Sequence, residues 1–557
     1  MRQLVVLCDG TNNNLTGVAN DTHVVALAEL LRADPDAERV LFYDPGVGNP
    51  GELPGTTVWD KAWRLAERID GLAFGRGVFD NIAQGYRFLM RHWQGDSDQI
   101  WLFGFSRGAF TARSIGGLVN RFGILQPQLE PMVPTLLHQY FSEATPRGDA
   151  IAAQASRLFA EAPPRKPAIH FVGVWDTVQT VGTWPFSLRM RAKPTLQGKL
   201  FLHVRQALAL DEHRAQFVPR AYAENNGSFV AAGGREGSVL QLWFRGAHCD
   251  VGGGYPLLES ALARSPLAWL LAQAVQCGLR LSHDGQPVNS EARAAAAITQ
   301  ALQHASGKPD PVASGQAQPR VHCQLHTTPL WALTGMALRD SRRAAVDDSP
   351  DVSVQMAEHP SVMQWDARFP RDSVWQRAGL TGWWWAYLVA SLALEVALGW
   401  LLTGTITGVP EAFAANLRLQ YWQLGAIFST DGSWWQTALG FDAPRWAVLW
   451  HFALILCYAY VLATLAARAF AHAAGFNRHG RAVPKALNVL GWALPVMVFG
   501  NIAENVFTWL TLTAGHEGVW WLAWVCRLGM ALGALAKIVG FVGVLLLVVG
   551  WRALRPR

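Results

Sequence analysis

Short apolar runs alternate along the first half of the chain with segments in which apolar residues recur every three or four positions. The short runs indicate buried strands, and the longer periodic segments indicate amphipathic helices. The predicted strands are LVVLCDG (4–10), VLFY (40–43), IWLF (100–103), IHFVGVWDT (169–177) and LQLWFRG (240–246). The predicted helices are THVVALAELLRA (22–33), NIAQGYRFLMRHW (81–93) and AFTARSIGGLVNRF (109–122). This alternation predicts an α/β fold with a mostly parallel sheet flanked by helices on both faces.

The pattern changes beyond residue 375, where long apolar stretches are rich in tryptophan and contain only scattered charges. Four stretches are long enough to cross about 30 Å of hydrocarbon. They are residues 381–403, 446–467, 487–512 and 520–551. One such stretch could be a buried helix of a soluble protein, but four in succession favour an all-α transmembrane domain of about four helices.

Lysine and arginine flank these four stretches unevenly. They lie before the first stretch, between the second and third, and after the fourth, as Arg368, Arg371, Arg377, Arg468, Arg478, Arg481, Lys485, Arg552, Arg555 and Arg557. The loop after the third stretch (513–518) has neither residue type, and the loop at 404–445 has only Arg418 and Arg445. The positive-inside rule therefore predicts an even number of crossings, with both termini and the globular part in the cytoplasm.

These changes divide the chain into three expected parts. They are a globular domain at 1–340, a connector at 341–380 and a membrane domain at 381–557. Residues 283–320 are polar and rich in alanine, glycine and proline, so we expect an insertion or mobile loop there. The N-terminal MRQLVVLCDG leads directly into a strand, which argues against a secretory signal.

Charge and cysteine usage exclude several classes of function. The net charge of +6 comes largely from the residues that flank the apolar stretches, which suits anionic lipid headgroups. No basic cluster with interleaved aromatic residues is present in the globular part, so we expect no nucleic-acid partner. Six cysteines without a Cys-x-x-Cys pair favour neither a disulfide framework nor a zinc site, and we expect no metal or other cofactor.

A Gly-x-Ser-x-Gly motif stands between the predicted strand at 100–103 and the predicted helix at 109–122, in the sequence GFSRG. This pentapeptide alone is weak evidence, but strand, tight turn and helix form the context of a nucleophile elbow. Gly104 and Gly108 would let the two backbones approach closely, and the turn would expose the hydroxyl of Ser106. The alternative is a serine that caps the helix after a buried strand.

A nucleophilic serine needs an acid and a histidine, which in an α/β-hydrolase follow it in that order. Asp176 follows the predicted strand at 169–177, and His248 lies in a glycine-rich turn after the strand at 240–246. Each could instead be structural, as a turn aspartate and a loop histidine. Asp250 competes with Asp176 for the role of the acid, although we expect it to brace the glycine turn that follows.

The oxyanion formed during acyl transfer needs two backbone N–H donors. Arg107, directly after the serine, would supply one of them. DGTNNN (9–14) follows the first strand and would supply the other from Gly10 or Thr11, with Asp9 or the asparagines fixing the loop through side-chain hydrogen bonds. A phosphate-binding loop is the alternative for DGTNNN, but the Walker lysine and the spaced glycines are missing.

Seven blocks occur in one order along the chain: LCDGTNNN, DPGVGNPG, NIAQGYRFLMRHW, IWLFGFSRGAFTARSIGGL, FVGVWDTV, QALALDEHRAQFVP and LWFRGAHCDVGGGYP. This order resembles the α/β-hydrolase domain long catalogued as a domain of unknown function, which includes the Tle1-like type VI secretion phospholipase effectors. The resemblance covers about residues 1–340. It implies a serine esterase of phospholipase A type that acts on glycerophospholipid acyl esters, with Ser106, Asp176 and His248 at the catalytic positions.

The resemblance also implies membrane phospholipid as the partner, and a secretion-apparatus protein and an immunity protein for an effector delivered to a target-cell membrane. Because of the apolar tail, a membrane-resident hydrolase that cleaves another ester is an alternative function. Ionisable and amide residues inside the tail (Glu395, Asn501, Glu504, Arg527 and Lys537) keep a transporter or channel with a regulatory soluble domain as an alternative. Helix-to-helix pairing is the structural explanation for these residues. A non-catalytic membrane scaffold with a decayed hydrolase fold is the third alternative.

Overall fold

The structure is a computed structural model of all 557 residues. It describes residues 1–10, 21–34, 38–46, 71–141, 150, 154, 166–178, 180–181, 188–189, 195–317, 320–339, 344–346, 349–354, 356–368, 382–403, 444–476, 485–516 and 518–553. These residues form two compact units. The first comprises residues 1–212, 217–322 and 339–369, and the second comprises residues 213–216, 323–338 and 370–557.

An eight-stranded sheet forms the centre of the first unit. Its strands are β1 (Gln3–Cys8), β2 (Arg39–Asp44), β3 (Gln99–Phe105), β4 (Ile169–Trp175), β7 (Phe201–Ala209), β8 (Gly227–Val230), β9 (Glu236–Phe244) and β14 (Ala357–Glu358). The order is β14-β9-β7-β4-β3-β1-β2, and all neighbours in it are parallel. Only β8, which pairs with β9, is antiparallel within this sheet. The predicted mostly parallel sheet is confirmed.

Three two-stranded ribbons accompany the sheet among the described residues. Their strands are β5 (Thr180–Val181) with β6 (Leu188–Arg189), β10 (Ser282–His283) with β11 (Gln286–Pro287), and β12 (Ala344–Val346) with β13 (Ser349–Val354).

Helices cover both faces of the large sheet, because successive strand residues point to opposite faces. On one face, Leu4, Val6 and Leu102 pack in a core with α2 (Gly71–His92), α3 (Arg107–Phe122) and α4 (Val133–Phe141). On the other, Val5 and Trp101 pack in a core with α1 (His23–Ala33), α6 (Arg264–Gln276) and α7 (Glu291–Ser306). The strands are apolar on both sides for this reason, which explains why they appear as continuous apolar runs.

The remaining helices among the described residues of the first unit are short. They are α5 (His248–Gly252), α9 (Pro360–Arg368) and three 3₁₀ turns at Pro127–Met132, Ala232–Gly234 and Leu257–Glu259. In the second unit, α8 (Gln324–Thr327) precedes a 3₁₀ turn at Pro329–Thr334.

Two predictions on local structure differ from the structure. The expected loop at 283–320 is wrong for residues 291–306, which form α7 and bury Ala294, Ala297 and Ile298. The alanine-rich sequence has high helix propensity, and Ser290 caps the helix by accepting a hydrogen bond from the N–H of Arg293 at 3.4 Å. Strand β7 was not predicted, because FLHVRQALA mixes charged and apolar residues although the strand lies at the centre of the sheet.

Long apolar helices make up most of the second unit. They are α10 (Gly382–Thr403), α11 (Pro444–Phe476), α13 (Ala493–His516) and α14 (Trp520–Ala553), with a short α12 (Lys485–Leu490) before α13. Three apolar segments among the described residues are long enough to span a membrane: His451–Ala471, Ala486–Thr511 and Trp521–Gly550. The described apolar segment of α10, Trp384–Leu398, is shorter. The sequence predicted about four membrane-spanning helices. Among the described residues, three helices are long enough to span a membrane.

Charged residues within these helices pair with their neighbours. Lys537 forms an ion pair with Glu504, and the guanidinium of Arg527 lies 4.4 Å from the ring centre of Trp524. Helices α13 and α14 approach closely at glycine, since a Cβ on Gly533 would lie 2.5 Å from the backbone nitrogen of Glu504. The contacts between α13 and α14 fit the helix-to-helix pairing expected as the alternative to a transport pathway, whereas Arg527 and Trp524 lie on the same helix.

Candidate active site

Ser106 occupies a strained backbone conformation at the turn between β3 and α3. Its φ of 59° and ψ of −122° lie in a region that L-residues rarely adopt. The flanking glycines are required sterically. A Cβ on Gly104 would lie 2.4 Å from the carbonyl oxygen of Gly108, and a Cβ on Gly108 would lie 2.2 Å from the carbonyl oxygen of Cys8. Strand β1, strand β3 and helix α3 therefore meet at a separation that only glycine permits, which is the geometry of a nucleophile elbow.

Asp176 follows β4, the strand beside β3, and also has a positive φ, of 41°. The N–H of Ser106 donates to the carbonyl oxygen of Trp175 at 3.0 Å, and the N–H of Val178 donates to the carbonyl oxygen of Ser106 at 3.4 Å. The serine backbone is thus hydrogen-bonded to residues on either side of Asp176. The sheet brings these two predicted catalytic residues together at the carboxyl ends of neighbouring strands, where α/β sheets place their sites.

His248 is the first residue of α5, four residues beyond the end of β9. Its Nδ1 lies 2.5 Å from Oδ2 of Asp176, and both side chains are buried. The ring packs against Phe105 at a centroid distance of 4.6 Å and edge-on against Phe217 at 5.0 Å. Two aromatic contacts and one carboxylate contact fix the plane of the imidazole, and an Nδ1–H donated to Asp176 makes Nε2 the basic nitrogen.

Arg339 was not predicted as a site residue. Its Nη1 donates to Oδ1 of Asp176 at 2.6 Å, its Nη2 donates to Oδ2 at 3.1 Å, and its side chain is buried. Burial alone would raise the pKa of Asp176, but Arg339 and the hydrogen bond with His248 outweigh it and hold that pKa below its usual value. Nothing in the local sequence ALRDSRR marks Arg339, because its partner lies 163 positions away.

The three predicted oxyanion donors are Arg107, Gly10 and Thr11, and the structure describes the first two. Arg107 is the first residue of α3, directly after the serine, and burial lowers the pKa of its guanidinium to about 10. The N–H of Gly10 donates to Oδ1 of Asp9 at 2.7 Å, so it is already engaged in this structure. Thr11 lies outside the described residues. The oxyanion site therefore stays a prediction, with the N–H of Arg107 as the described donor that follows the serine.

Asp9 holds the start of this loop as expected of a bracing residue. Its Oδ2 accepts hydrogen bonds from Thr22 Oγ1 at 2.8 Å and from the hydroxyl of Tyr43 at 2.9 Å. Its backbone N–H donates to the carbonyl oxygen of Asp44, whose own carboxyl group is buried beside it. Burial and the neighbouring Asp9 raise the pKa of Asp44 to about 7.

Asp250, the competing acid, lies on α5 and faces a different histidine. Its Oδ2 accepts hydrogen bonds from the N–H groups of Ala247 and His322, and its Oδ1 lies 2.7 Å from Nδ1 of His322. The other ring nitrogen of His322 lies 2.8 Å from Oε2 of Glu259, and the ring stacks on Tyr255 at 3.7 Å. Asp250 thus braces the turn that leads into α5, and the geometry favours Asp176 as the partner of His248.

Comparisons with known proteins relate the first half of the chain to one family. Residues 2–273 match the family model of the type VI secretion phospholipase effector Tle1-like catalytic domain. An uncharacterized protein of Saccharomyces cerevisiae is 32% identical over 222 residues, which are 38% of this chain and 32% of the yeast protein. A crystal structure of an uncharacterized protein from Pseudomonas aeruginosa is 16% identical with a TM-score of 0.28, covering 60% of this chain and 58% of that one.

The chain thus spans about a third of the length of the yeast relative. The matched region contains β1 to β9, the nucleophile elbow at Ser106, and both Asp176 and His248. Residues 2–273 therefore match the catalytic domain of the Tle1-like phospholipase effectors, and this match supports a hydrolase.

Proposed function

We propose that this protein is a membrane-anchored serine hydrolase that cleaves acyl ester bonds of glycerophospholipids, with Ser106 as nucleophile, His248 as base and Asp176 as acid. The observation that carries the proposal is the strained turn at Ser106, whose backbone is hydrogen-bonded to Trp175 and Val178 on either side of the aspartate that contacts His248. Backbone strain of this kind is maintained where the placement of a nucleophile requires it, and here the side chain of Ser106 is largely buried.

The proposed reaction proceeds in two steps. Oγ of Ser106 attacks the ester carbonyl carbon while its proton passes to Nε2 of His248, and the lysophospholipid alcohol leaves with that proton. Water then attacks the acyl-serine, loses a proton to Nε2, and releases the fatty acid as the proton returns to Oγ. Asp176 stabilises the imidazolium in both steps without becoming protonated. The balance is one ester and one water consumed, and one acid and one alcohol formed.

The apolar helices support a substrate located in a membrane. The exposed side chains of α14 are apolar over most of its length, as with Leu528, Leu532, Val539 and Val549, which are 56 to 61% exposed. Arg527 and Lys537, in contrast, are buried on the other face. An apolar face of this extent is costly in water but suits lipid, so we propose that these helices anchor the enzyme beside its two-dimensional substrate.

The test is lipid mass spectrometry on purified full-length protein with vesicles of mixed phospholipids. We expect lysophospholipid and free fatty acid in equal amounts, and neither product from Ser106→Ala. Release of diacylglycerol or phosphatidate would mean a phosphodiester is cleaved instead and would overturn the acyl-ester assignment. Loss of vesicle contents retained by Ser106→Ala would favour the alternative of a transporter or channel.

The family match supports an effector role. We propose that this role is antibacterial and that the protein is delivered to a target-cell membrane. An effector of this class would need an immunity protein in the producing cell and a secretion-apparatus partner. Expression in a bacterial host should then be toxic for the wild type and harmless for Ser106→Ala, with toxicity removed by the product of a neighbouring gene. Active but non-toxic protein would favour a resident membrane hydrolase.

A further inference from the structure

We propose that Arg339 is a positioning residue for this hydrolase, which fixes the orientation of Asp176 and neutralises its charge, and so sets the lower edge of the pH range in which the enzyme works. The inference rests on the proposed function of Ser106, Asp176 and His248. It assigns a role to a residue outside the matched family region, which ends at residue 273.

The guanidinium of Arg339 contacts three parts of the site at once. Each terminal nitrogen bonds one oxygen of Asp176 and one backbone carbonyl: Nη1 donates to Ala209 at 2.7 Å, and Nη2 donates to Phe217 at 2.6 Å. Ala209 ends β7, and the ring of Phe217 packs edge-on against His248. One side chain therefore holds the acid and also the segment that supports the base, and the planar fork of arginine is required for this geometry.

Both carboxylate oxygens of Asp176 accept hydrogen bonds from described residues. Oδ1 accepts from Arg339 and from the N–H of Ala209 at 3.0 Å, and Oδ2 is shared between Arg339 and Nδ1 of His248. Within the described part of the chain, these three residues are its hydrogen-bond partners. Because Asp176 is completely buried, removing the arginine would leave a charge whose remaining partners are one N–H group and a neutral histidine.

Other charged groups near His248 are already engaged. Oε2 of Glu212 accepts from the N–H of His248 at 3.4 Å, Arg245 pairs with Asp211 at 2.9 Å, and Asp250 pairs with His322 at 2.7 Å. None of these groups is a hydrogen-bond partner of the Asp176 carboxylate among the described residues. Arg339 is thus the cation in direct contact with the acid of the proposed triad.

The sign of the effect follows from charge. The active form has an ionised Asp176 and a neutral His248, and the two titrate as one unit. With Arg339 in contact, the pair takes up a proton less readily. Without it, a proton is bound at higher pH, whether on the aspartate or on the histidine. Arg339→Gln should therefore move the acid limb of the kcat/KM profile to higher pH.

The experiment compares full-length variants by their pH profiles on a soluble p-nitrophenyl ester and by their rates of fluorophosphonate labelling. Arg339→Gln should lower kcat by roughly tenfold to a hundredfold, which is typical when a catalytic group is misplaced, and should raise the pH of the acid limb. Arg339→Lys keeps the charge but loses the fork, so the limb should stay near its wild-type position while kcat falls.

Arg2→Gln is the matched control. Arg2 makes a two-pronged contact with the buried Asp98, at 3.2 and 2.8 Å, at the opposite end of the strands from Ser106. Its loss should lower the unfolding temperature without moving the acid limb. An Arg339→Gln protein that is folded and has the wild-type limb would overturn the inference while leaving the proposed function intact. Activity retained by Ser106→Ala would instead overturn the proposed function.

Discussion

The N–H group of Ser106 donates a 3.0 Å hydrogen bond to the carbonyl oxygen of Trp175, the residue immediately before Asp176. This bond extends the pairing of β3 with β4 by one residue beyond the last strand position. The turn at the serine and the turn at the aspartate are therefore held in register by the sheet itself. Their spacing does not depend on a flexible loop, which is the arrangement that a preorganised site requires.

Replacing Ser106, the proposed nucleophile, provides the most direct test of the site. Ser106→Ala should abolish fluorophosphonate labelling and lower ester hydrolysis by roughly 10⁴-fold or more, because the covalent step is lost. The fold should be unchanged, since alanine is strained to a similar degree at a φ of 59°. Ser260→Ala, which removes only a hydrogen bond to the carbonyl of Leu257, is the control and should label normally. Labelling of Ser106→Ala at the wild-type rate would identify another nucleophile.

The two candidate acids can be separated by their amide variants. Asp176→Asn should lower kcat by roughly 10⁴-fold, because asparagine favours the wrong tautomer of His248. Asp250→Asn should mainly lower the unfolding temperature, because it weakens the contact with His322 and the turn before α5. The measurement is kcat together with the unfolding temperature of each variant. A folded Asp250→Asn protein with the larger loss of kcat would reverse the assignment.

The glycine contacts predict a sharp difference between two alanine variants. Gly108→Ala should destabilise the protein by about 1–3 kcal/mol and displace the elbow, because the new Cβ would lie 2.2 Å from a backbone oxygen that cannot rotate away. Gly307→Ala has open space around it and should cost about 1 kcal/mol for its positive φ, with activity retained. Unfolding temperature and labelling rate are the measurements. A fully active Gly108→Ala protein would contradict the described elbow.

Asp44 predicts a pH-dependent stability. Its pKa is about 7 in the folded protein against an ordinary value of 3.8, so the folded state binds more protons than the unfolded state between about pH 4 and about pH 7. The free energy of unfolding therefore falls as pH rises through that window, by up to roughly 4 kcal/mol. In the Asp44→Asn variant, the free energy of unfolding should not decrease in this way between about pH 4 and about pH 7.

The measurement is the unfolding temperature of Asp44→Asn relative to wild type. The difference should become more favourable to the variant from acidic to neutral pH. Asp98→Asn is the contrast, because it breaks the pair with Arg2 and should be destabilising at neutral pH. A difference for Asp44→Asn that is independent of pH would mean that burial does not perturb this carboxyl group.

The charge pattern around the apolar helices predicts a topology. A reporter fused after Arg557 and one inserted within 468–485 should both lie in the cytoplasm, while one inserted near residue 515 should lie outside. This orientation is expected because lysine and arginine are present in 468–485 and in the C-terminal tail but absent from 513–518. An exterior reading for the C-terminal fusion would mean an odd number of crossings and would overturn the predicted orientation.

The elbow could be predicted from sequence because its determinants are local. GFSRG places two glycines at the positions where backbones meet, and the adjoining strand and helix have clear patterns. Helix α1, which was predicted at 22–33 and is observed at His23–Ala33, follows the same logic. Such features are encoded within about a dozen neighbouring residues, and the structure has them where the pattern indicates.

Contacts between distant residues could not be predicted in this way. Arg339 has no local signal, and its role depends on a buried carboxylate in another part of the chain. The central strand β7 was missed for a related reason: His203 and Arg205 are polar residues on a strand, and both are hydrogen-bonded to Ser238 on β9. Hydrogen bonds to residues distant in sequence, including one from Arg205 to Gln273 at 2.7 Å, make such residues compatible with a sheet interior.

The positive φ angles of Ser106 and Asp176 have a consequence for selecting stable variants. Glycine adopts these conformations freely, so Ser106→Gly should relieve backbone strain of roughly 1–2 kcal/mol while removing the hydroxyl. A screen of random variants for heat resistance alone would therefore be drawn toward inactive proteins at this position. The Ser106→Gly variant should therefore be folded, more stable than the wild type and without hydrolase activity. It could be crystallised with an uncleaved lipid bound.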